Sequence, residues 1–278
     1  MAESNTLIFY DIDSLVKPKS FAPNPAKSRL ALSVKNVPFN TEWVELGDIT
    51  ETRKKLKCPA VRKRADGSDY YTLPILRDPA SGNIIGDSYE IAVWLEDNYP
   101  NSGGHLFPSH FTGEEYESPK IDEPIYVPLT PLDGAKHQNY AHFNIQVDTT
   151  FSAFVGLVAS GMPLKREVYE GLQDRLKDVS KSDAPVQMDI GGEKRKQLMT
   201  DFKDGLESLA KYFQKIDGPY LNGQQATYAD MIVGGWLIMM SESMPKVSAD
   251  EWEDFKTWHG GVFDRLLNAL IKDCYKCI

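Results

Sequence analysis

The chain has 278 residues, 41% of them hydrophobic and 26% charged, with a formal net charge of −9 and a pI near 5.1. That length can bury two cores, the acidity argues against bulk electrostatic binding to nucleic acid, and no run of about 18 apolar residues offers a membrane span. Three cysteines cannot build a disulfide framework, and residues Met1 to Asn5 lack the basic and apolar regions of a secretion signal, so a reducing, cytoplasmic setting is expected.

Leu7 to Ile12 form a compact apolar run that reads as a buried first strand. After a loop from Asp13 to Pro23, Asn24-Pro25 reads as an N-cap followed by proline in the first turn, and Ala26, Leu30, Ala31 and Val34 carry a helix toward Asn36. Thr41 to Leu46 alternate as a second strand. The basic run RKKLKCPAVRKR, from Arg53 to Arg64, reads as a solvated helix face and loop, with a weak nuclear-import pattern as the other reading. Leu73-Pro74-Ile75-Leu76, a turn through Asp78 to Asn83, and Ile84-Ile85 predict a hairpin. Pro74 within the run predicts an edge strand, whose free backbone could pair with a ligand's own peptide groups. Asp87 and Glu90 have capping-box spacing, Ile91, Trp94 and Leu95 mark an apolar helix face, and Asn98-Tyr99-Pro100 ends it. Ser88 therefore falls among the exposed N–H groups of a helix start, where an anion is favoured, although an ordinary capped helix would show the same spacing.

Ser102 to Pro131 carry Gly103, Gly104 and prolines 108, 119, 124, 128 and 131, which predicts an interdomain linker or an ordered insertion at a site mouth. Helical patterns then run over roughly 133–160, 164–181, 192–216, 228–243 and 250–272. Phe143, Val147, Phe151 and Phe154 repeat on one face; this is core packing, or an aromatic wall for an apolar ligand together with Tyr10, Ile12 and Trp258. Thr227 and Asp230 have capping-box spacing before an apolar run and are given structural roles. Cys274-Tyr275-Lys276-Cys277 has no strand before it and no helix after it to lower a thiol pKa, so it reads as an inert tail. His137 and His142 fall on different helix faces and offer no zinc site.

The order βαβ then ββα resembles the thioredoxin-like arrangement. Leu73-Pro74, followed after the hairpin by Asp87-Ser88-Tyr89-Glu90-Ile91, resembles the "LP…(E/D)S…I" signature of the glutathione-transferase superfamily. Independently, the string YLNG…TYADMIV from Tyr220 resembles the N-capping box of that superfamily's helical domain. The resemblance covers essentially the whole chain. It implies an α+β fold, with a thioredoxin-like domain over 1–101, a linker or insertion over 102–131 and an all-helical domain over 132–278. It implies glutathione as co-substrate with no metal, and a cis bond before Pro74. Leu73 would pair with the cysteinyl backbone, Asp87 and Ser88 would hold the γ-glutamyl end, and Lys63, with Arg62 or Arg64, would face the glycyl carboxylate.

In the serine-type members a loop hydroxyl donates to the glutathione sulfur. Aligned on Arg29-Leu30-Ala31-Leu32, that position falls at Ala22 or Pro23, which have no hydroxyl. Ser20 and Asn24 are the nearest donors, and Ser20 is preferred because Asn24 is expected to cap the helix. One donor suffices in magnitude: lowering a thiol pKa from about 8.5 by about two units takes roughly 2.7 kcal/mol, within reach of a charged hydrogen bond of about 1.5–3 kcal/mol and a helix start. The Ser-Phe-Ala-Pro-Asn-Pro loop, the long linker and the large helical domain look most like the fungal etherase-related glutathione transferases. That likeness implies conjugation of the thiolate to apolar or aromatic electrophiles. Its alternatives are a ligandin that binds hydrophobic phenols with little turnover, and glutathione-dependent β-aryl-ether cleavage. A homodimer without nucleic-acid or membrane partners is the family default.

Overall fold

The computed structural model describes residues 6–64, 66–121, 134–177 and 190–275. Residues 122–131 of the expected insertion, 178–181 of an expected helix, and Cys277 lie outside them. The first half of the chain runs β1 (Leu7–Ile12), α1 (Pro23–Val34), β2 (Phe39–Val44), α2 (Ile49–Lys55), β3 (Arg62–Lys63), β4 (Asp69–Tyr70), β5 (Ile75–Arg77), β6 (Ile84–Ile85) and α3 (Ser88–Asn98). The second half is helical: α4 (Gln138–Ala153), α5 (Arg166–Lys177), α6 (Gly192–Gln214), α7 (Tyr228–Val247) and α8 (Ala249–Asp273).

Four strands form one sheet in the order β2-β1-β5-β6, with β1 parallel to β2 and antiparallel to β5. The predicted hairpin is the β5–β6 pair. Its first strand is not at the edge. Pro74 stands just before β5 and removes no ladder donor, so β5 pairs on both sides. Alternation along β1 splits the apolar residues. Leu7 and Phe9 join the main core with α1 and α3, while Tyr10 and Ile12 pack on a smaller cluster of Val44, Ile49, Cys58, Leu73 and Ile75.

Helix α1 starts earlier than the expected Asn24 cap. Ala22 is the extended N-cap residue and Pro23 takes the first helical position, where its fixed φ fits and its missing N–H costs nothing. Helix α7 is the buried centre of the helical half, every residue from Tyr228 to Met240 being buried. It packs on α1 more extensively than any other two elements pack. Gly235 permits the approach, because a Cβ there would sit 2.6 Å from the Pro23 carbonyl and 2.8 Å from Lys27 Cγ.

The expected continuous helix over 250–272 is broken. Trp258 leaves helical geometry, and His259, Gly260 and Gly261 all take positive φ before α8 resumes. The expected helix over 133–160 is also shorter, since α4 starts after a left-handed His137 and gives way to two short 3-10 turns. The described part of the 102–131 segment has no helix or strand, yet Leu106, Phe107, Phe111 and Tyr116 are buried in the main core.

The predicted box at α7 forms in full. Asp230 accepts from Thr227 N at 2.8 Å, from Leu221 N at 2.7 Å and from Thr227 Oγ1 at 3.0 Å. Burial pushes its carboxyl up to about 6 even against those donors. Asp230→Ala strips a buried cap and strands two N–H groups, so it should lower the unfolding free energy by about 2–4 kcal/mol in urea titrations. A loss under about 0.5 kcal/mol would contradict this role.

Candidate active site

The loop between β1 and α1 is pinned from beneath by Arg29, which is wholly buried. Its guanidinium donates to Asp11 Oδ2 at 3.0 Å, Ser20 Oγ at 3.2 Å and Thr41 Oγ1 at 3.2 Å. It also stands 5.2 to 5.4 Å from the rings of Phe9, Phe39 and Trp43. Ser20 in turn donates its hydroxyl to Asp11, and its N–H donates to the Tyr275 hydroxyl at 2.7 Å. Burial raises the Asp11 carboxyl while Arg29 and Ser20 pull it down.

Above this anchor, α1 opens with Pro23-Asn24-Pro25. The prolines have no N–H to offer. Asn24, half-buried in the first turn, has a backbone N–H and a side-chain amide that meet no partner among the described residues.

Helix α3 packs against α1. Asp87 caps that helix, accepting from Tyr89 N at 2.8 Å and Glu90 N at 3.4 Å, and Ser88 is its first residue. Glu90 is exposed, so only half of the expected box is made. The Leu73–Pro74 bond is cis. Arg53, also wholly buried, donates to the carbonyls of Thr72 at 2.6 Å, Pro59 and Gly86, and reaches that of Pro74. It ties three loops together and leaves the Leu73 N–H and carbonyl without partners among the described residues.

In the β3–β4 ribbon Arg62 points inward and Lys63 outward. Lys63 is 64% exposed and pairs with Asp69 at 2.5 Å. Arg62 is buried and close enough to lower the pKa of both Lys27 and Arg53. Lys27, one turn into α1, is inaccessible and donates to Asp148 Oδ1 at 2.6 Å and Asn144 Oδ1 at 3.0 Å, both on α4. The Trp236 indole of α7 donates to the same Asp148 oxygen at 2.7 Å. Burial holds the Lys27 ammonium below the usual lysine range, opposed by Asp148 and Asp87.

Two family profiles match this chain. One, described as the glutathione S-transferase N-terminal domain, matches residues 21–98, and the other, the C-terminal domain, matches 179–272. The chain belongs to the glutathione S-transferase family. Among solved structures, a glutathione S-transferase of Ceriporiopsis subvermispora in complex with glutathione is 27% identical, with a TM-score of 0.76 over 96% of this chain and 97% of its own. Glutathione transferase GSTFuA2 of Phanerochaete chrysosporium shares the fold, with 24% identity and a TM-score of 0.72 over 98% and 99% of the two chains. No curated protein sequence matches.

Several expected site residues of this glutathione S-transferase stand together. Leu73 and Pro74 lie at the turn into β5 and Asp87 and Ser88 at the start of α3, two segments that Arg53 joins through the carbonyls of Pro74 and Gly86. Others do not. Ser20 is at 0% exposure with its hydroxyl held between Asp11 and Arg29, so it faces the interior instead of a ligand. The reason for preferring it also falls, because Ala22 and not Asn24 is the cap residue. Lys63 points to solvent, and strand alternation turns Arg62 inward in its place. The aromatic wall is not assembled: Phe143 and Val147 are at 0% exposure in the main core, and Trp258 packs on Phe202 and Phe255. Tyr10 and Ile12 belong to the separate cluster under the other sheet face.

Lys27 and Asp148 were missed, although each interrupts the apolar face of its helix, which is a legible sign of a buried charge. Cys274 is buried at the end of α8, 3.9 Å from the Tyr220 hydroxyl. Among the described residues no group of His, Cys, Asp and Glu could hold a metal, and no helix is long and apolar enough to cross a membrane. Asp148→Ala leaves the Lys27 ammonium buried without its carboxylate and should cost about 3–5 kcal/mol in denaturant titrations, part of which Lys27→Met restores. Additive losses in the double variant would contradict a coupled pair.

Proposed function

We propose that this glutathione S-transferase conjugates the glutathione thiolate to an apolar or aromatic electrophile, with the thiolate stabilised at the start of α1 by Asn24. The observation that carries the reading is the Pro23-Asn24-Pro25 turn. It concentrates the unpartnered donors of a helix start, one N–H and one amide, on a single residue. Leu73 offers its unpaired backbone to the cysteinyl residue of glutathione, Asp87 and Ser88 take the γ-glutamyl end, and Arg62 is the cation for the glycyl carboxylate. The Ceriporiopsis neighbour, solved with glutathione over nearly the full length of both chains, supports glutathione as the co-substrate. A cytoplasmic homodimer is part of the same reading.

The chemistry needs only a free thiolate. Its sulfur attacks the central carbon of an isothiocyanate, a C–S bond forms, the C=N electron pair moves to nitrogen, and solvent supplies the proton there. The thiol proton leaves to solvent beforehand.

Turnover of an aryl isothiocyanate separates the donors. Asn24→Ala should lower kcat/KM at least about tenfold, equivalent to one lost hydrogen bond to a charged group. Ser20→Ala should keep kcat/KM within about threefold while lowering Tm, because it removes a donor from buried Asp11. The reverse pattern would return the role to Ser20. Tight binding of glutathione and phenols with no turnover in the wild-type protein would favour the ligandin.

A further inference from the structure

Tyr228, the first residue of α7, is wholly buried, and its hydroxyl makes no hydrogen bond of good geometry among the described residues. The side chain belongs to the helical half of the chain, yet the groups that act on its oxygen are Asp87, Ser88 and Tyr89 at the start of α3, together with Asp148 of α4. Its ring is held edge-on to Tyr89 at 5.7 Å and tilted on Phe107 at 5.2 Å, so the hydroxyl is fixed in direction. Phenylalanine would fill the same space without stranding a polar atom in the core. A tyrosine kept there carries a cost to folding, and such costs concentrate where a ligand completes the arrangement.

We propose that Tyr228 is a positioning residue whose hydroxyl donates to Ser88 Oγ when a ligand carboxylate seats at the start of α3. A serine hydroxyl has one proton and two acceptor sites. With Tyr228 donating from the core side, the Ser88 proton is turned toward the carboxylate, and the helical half thereby takes part in recognition. Burial and the nearby Asp87 raise the Tyr228 hydroxyl well above its ordinary pKa, so it remains a donor across the working pH range. This inference rests on the reading that glutathione's γ-glutamyl end binds at Asp87 and Ser88.

The test is a cycle of Tyr228→Phe and Ser88→Ala, each titrated with glutathione and with an analogue lacking the glutamyl α-carboxylate, alongside thermal unfolding. Tyr228→Phe should weaken glutathione binding about fivefold, the factor given by one ordinary hydrogen bond, with Tm unchanged or raised. It should leave binding of the analogue unaltered, and it should add nothing in the Ser88→Ala background. A glutathione Kd within about twofold of wild type, or the same loss with and without Ser88, would overturn the proposal. If Ser88→Ala and Asp87→Asn both leave glutathione affinity unchanged, glutathione sits elsewhere, and both the site reading and this inference fall together.

Discussion

The buried guanidinium of Arg29 is the constraint on which the rest of the site depends. A charge at 0% exposure is tolerable only with its donors used and a carboxylate beside it, and Arg29 meets both conditions through Asp11, Ser20 and Thr41. Those partners come from β1, the following loop and β2. Satisfying one side chain therefore fixes where α1 begins relative to the sheet. It also consumes the Ser20 hydroxyl, so the same contact that builds the helix start withdraws the nearest hydroxyl from it.

A second buried pair joins the halves of the chain. Lys27 reaches α4 at Asp148, which also takes the Trp236 indole from α7. With Gly235 of α7 close against Pro23, the first turn of α1 has the helical half for a wall. In the proposed reading the ligand meets the helix starts of α1 and α3, and the first turn of α1 is held by residues from both halves. Recognition need not be confined to the thioredoxin-like part.

What could be read from the sequence was what is encoded locally. The β5–β6 hairpin, the Asp87-Ser88 helix start and the Thr227-Asp230 box depend on residues a few positions apart and form near where spacing put them, although Pro74 stands before an inner strand and Glu90 leaves its half of the Asp87 box unmade. Ser20 was misread because its partners Asp11 and Arg29 lie nine residues away on either side, and only the fold brings them together. The Phe143–Val147 stripe identified a helix face correctly but could not tell a core from a cleft, since both are apolar. Lys63 was favoured over Arg62 because a two-residue strand has no periodicity from which to read inward and outward. The start of α1 was misplaced by the choice between two prolines, and that misplacement is what ranked Asn24 behind Ser20.

The most direct measurement is a titration of the thiolate absorbance of bound glutathione against pH, in the wild type, Asn24→Ala and Ser20→Ala. The account predicts a bound thiol pKa of about 6 to 7 in the wild type and in Ser20→Ala, returning toward about 8.5 in Asn24→Ala. A bound pKa that rises in Ser20→Ala and stays low in Asn24→Ala would contradict it.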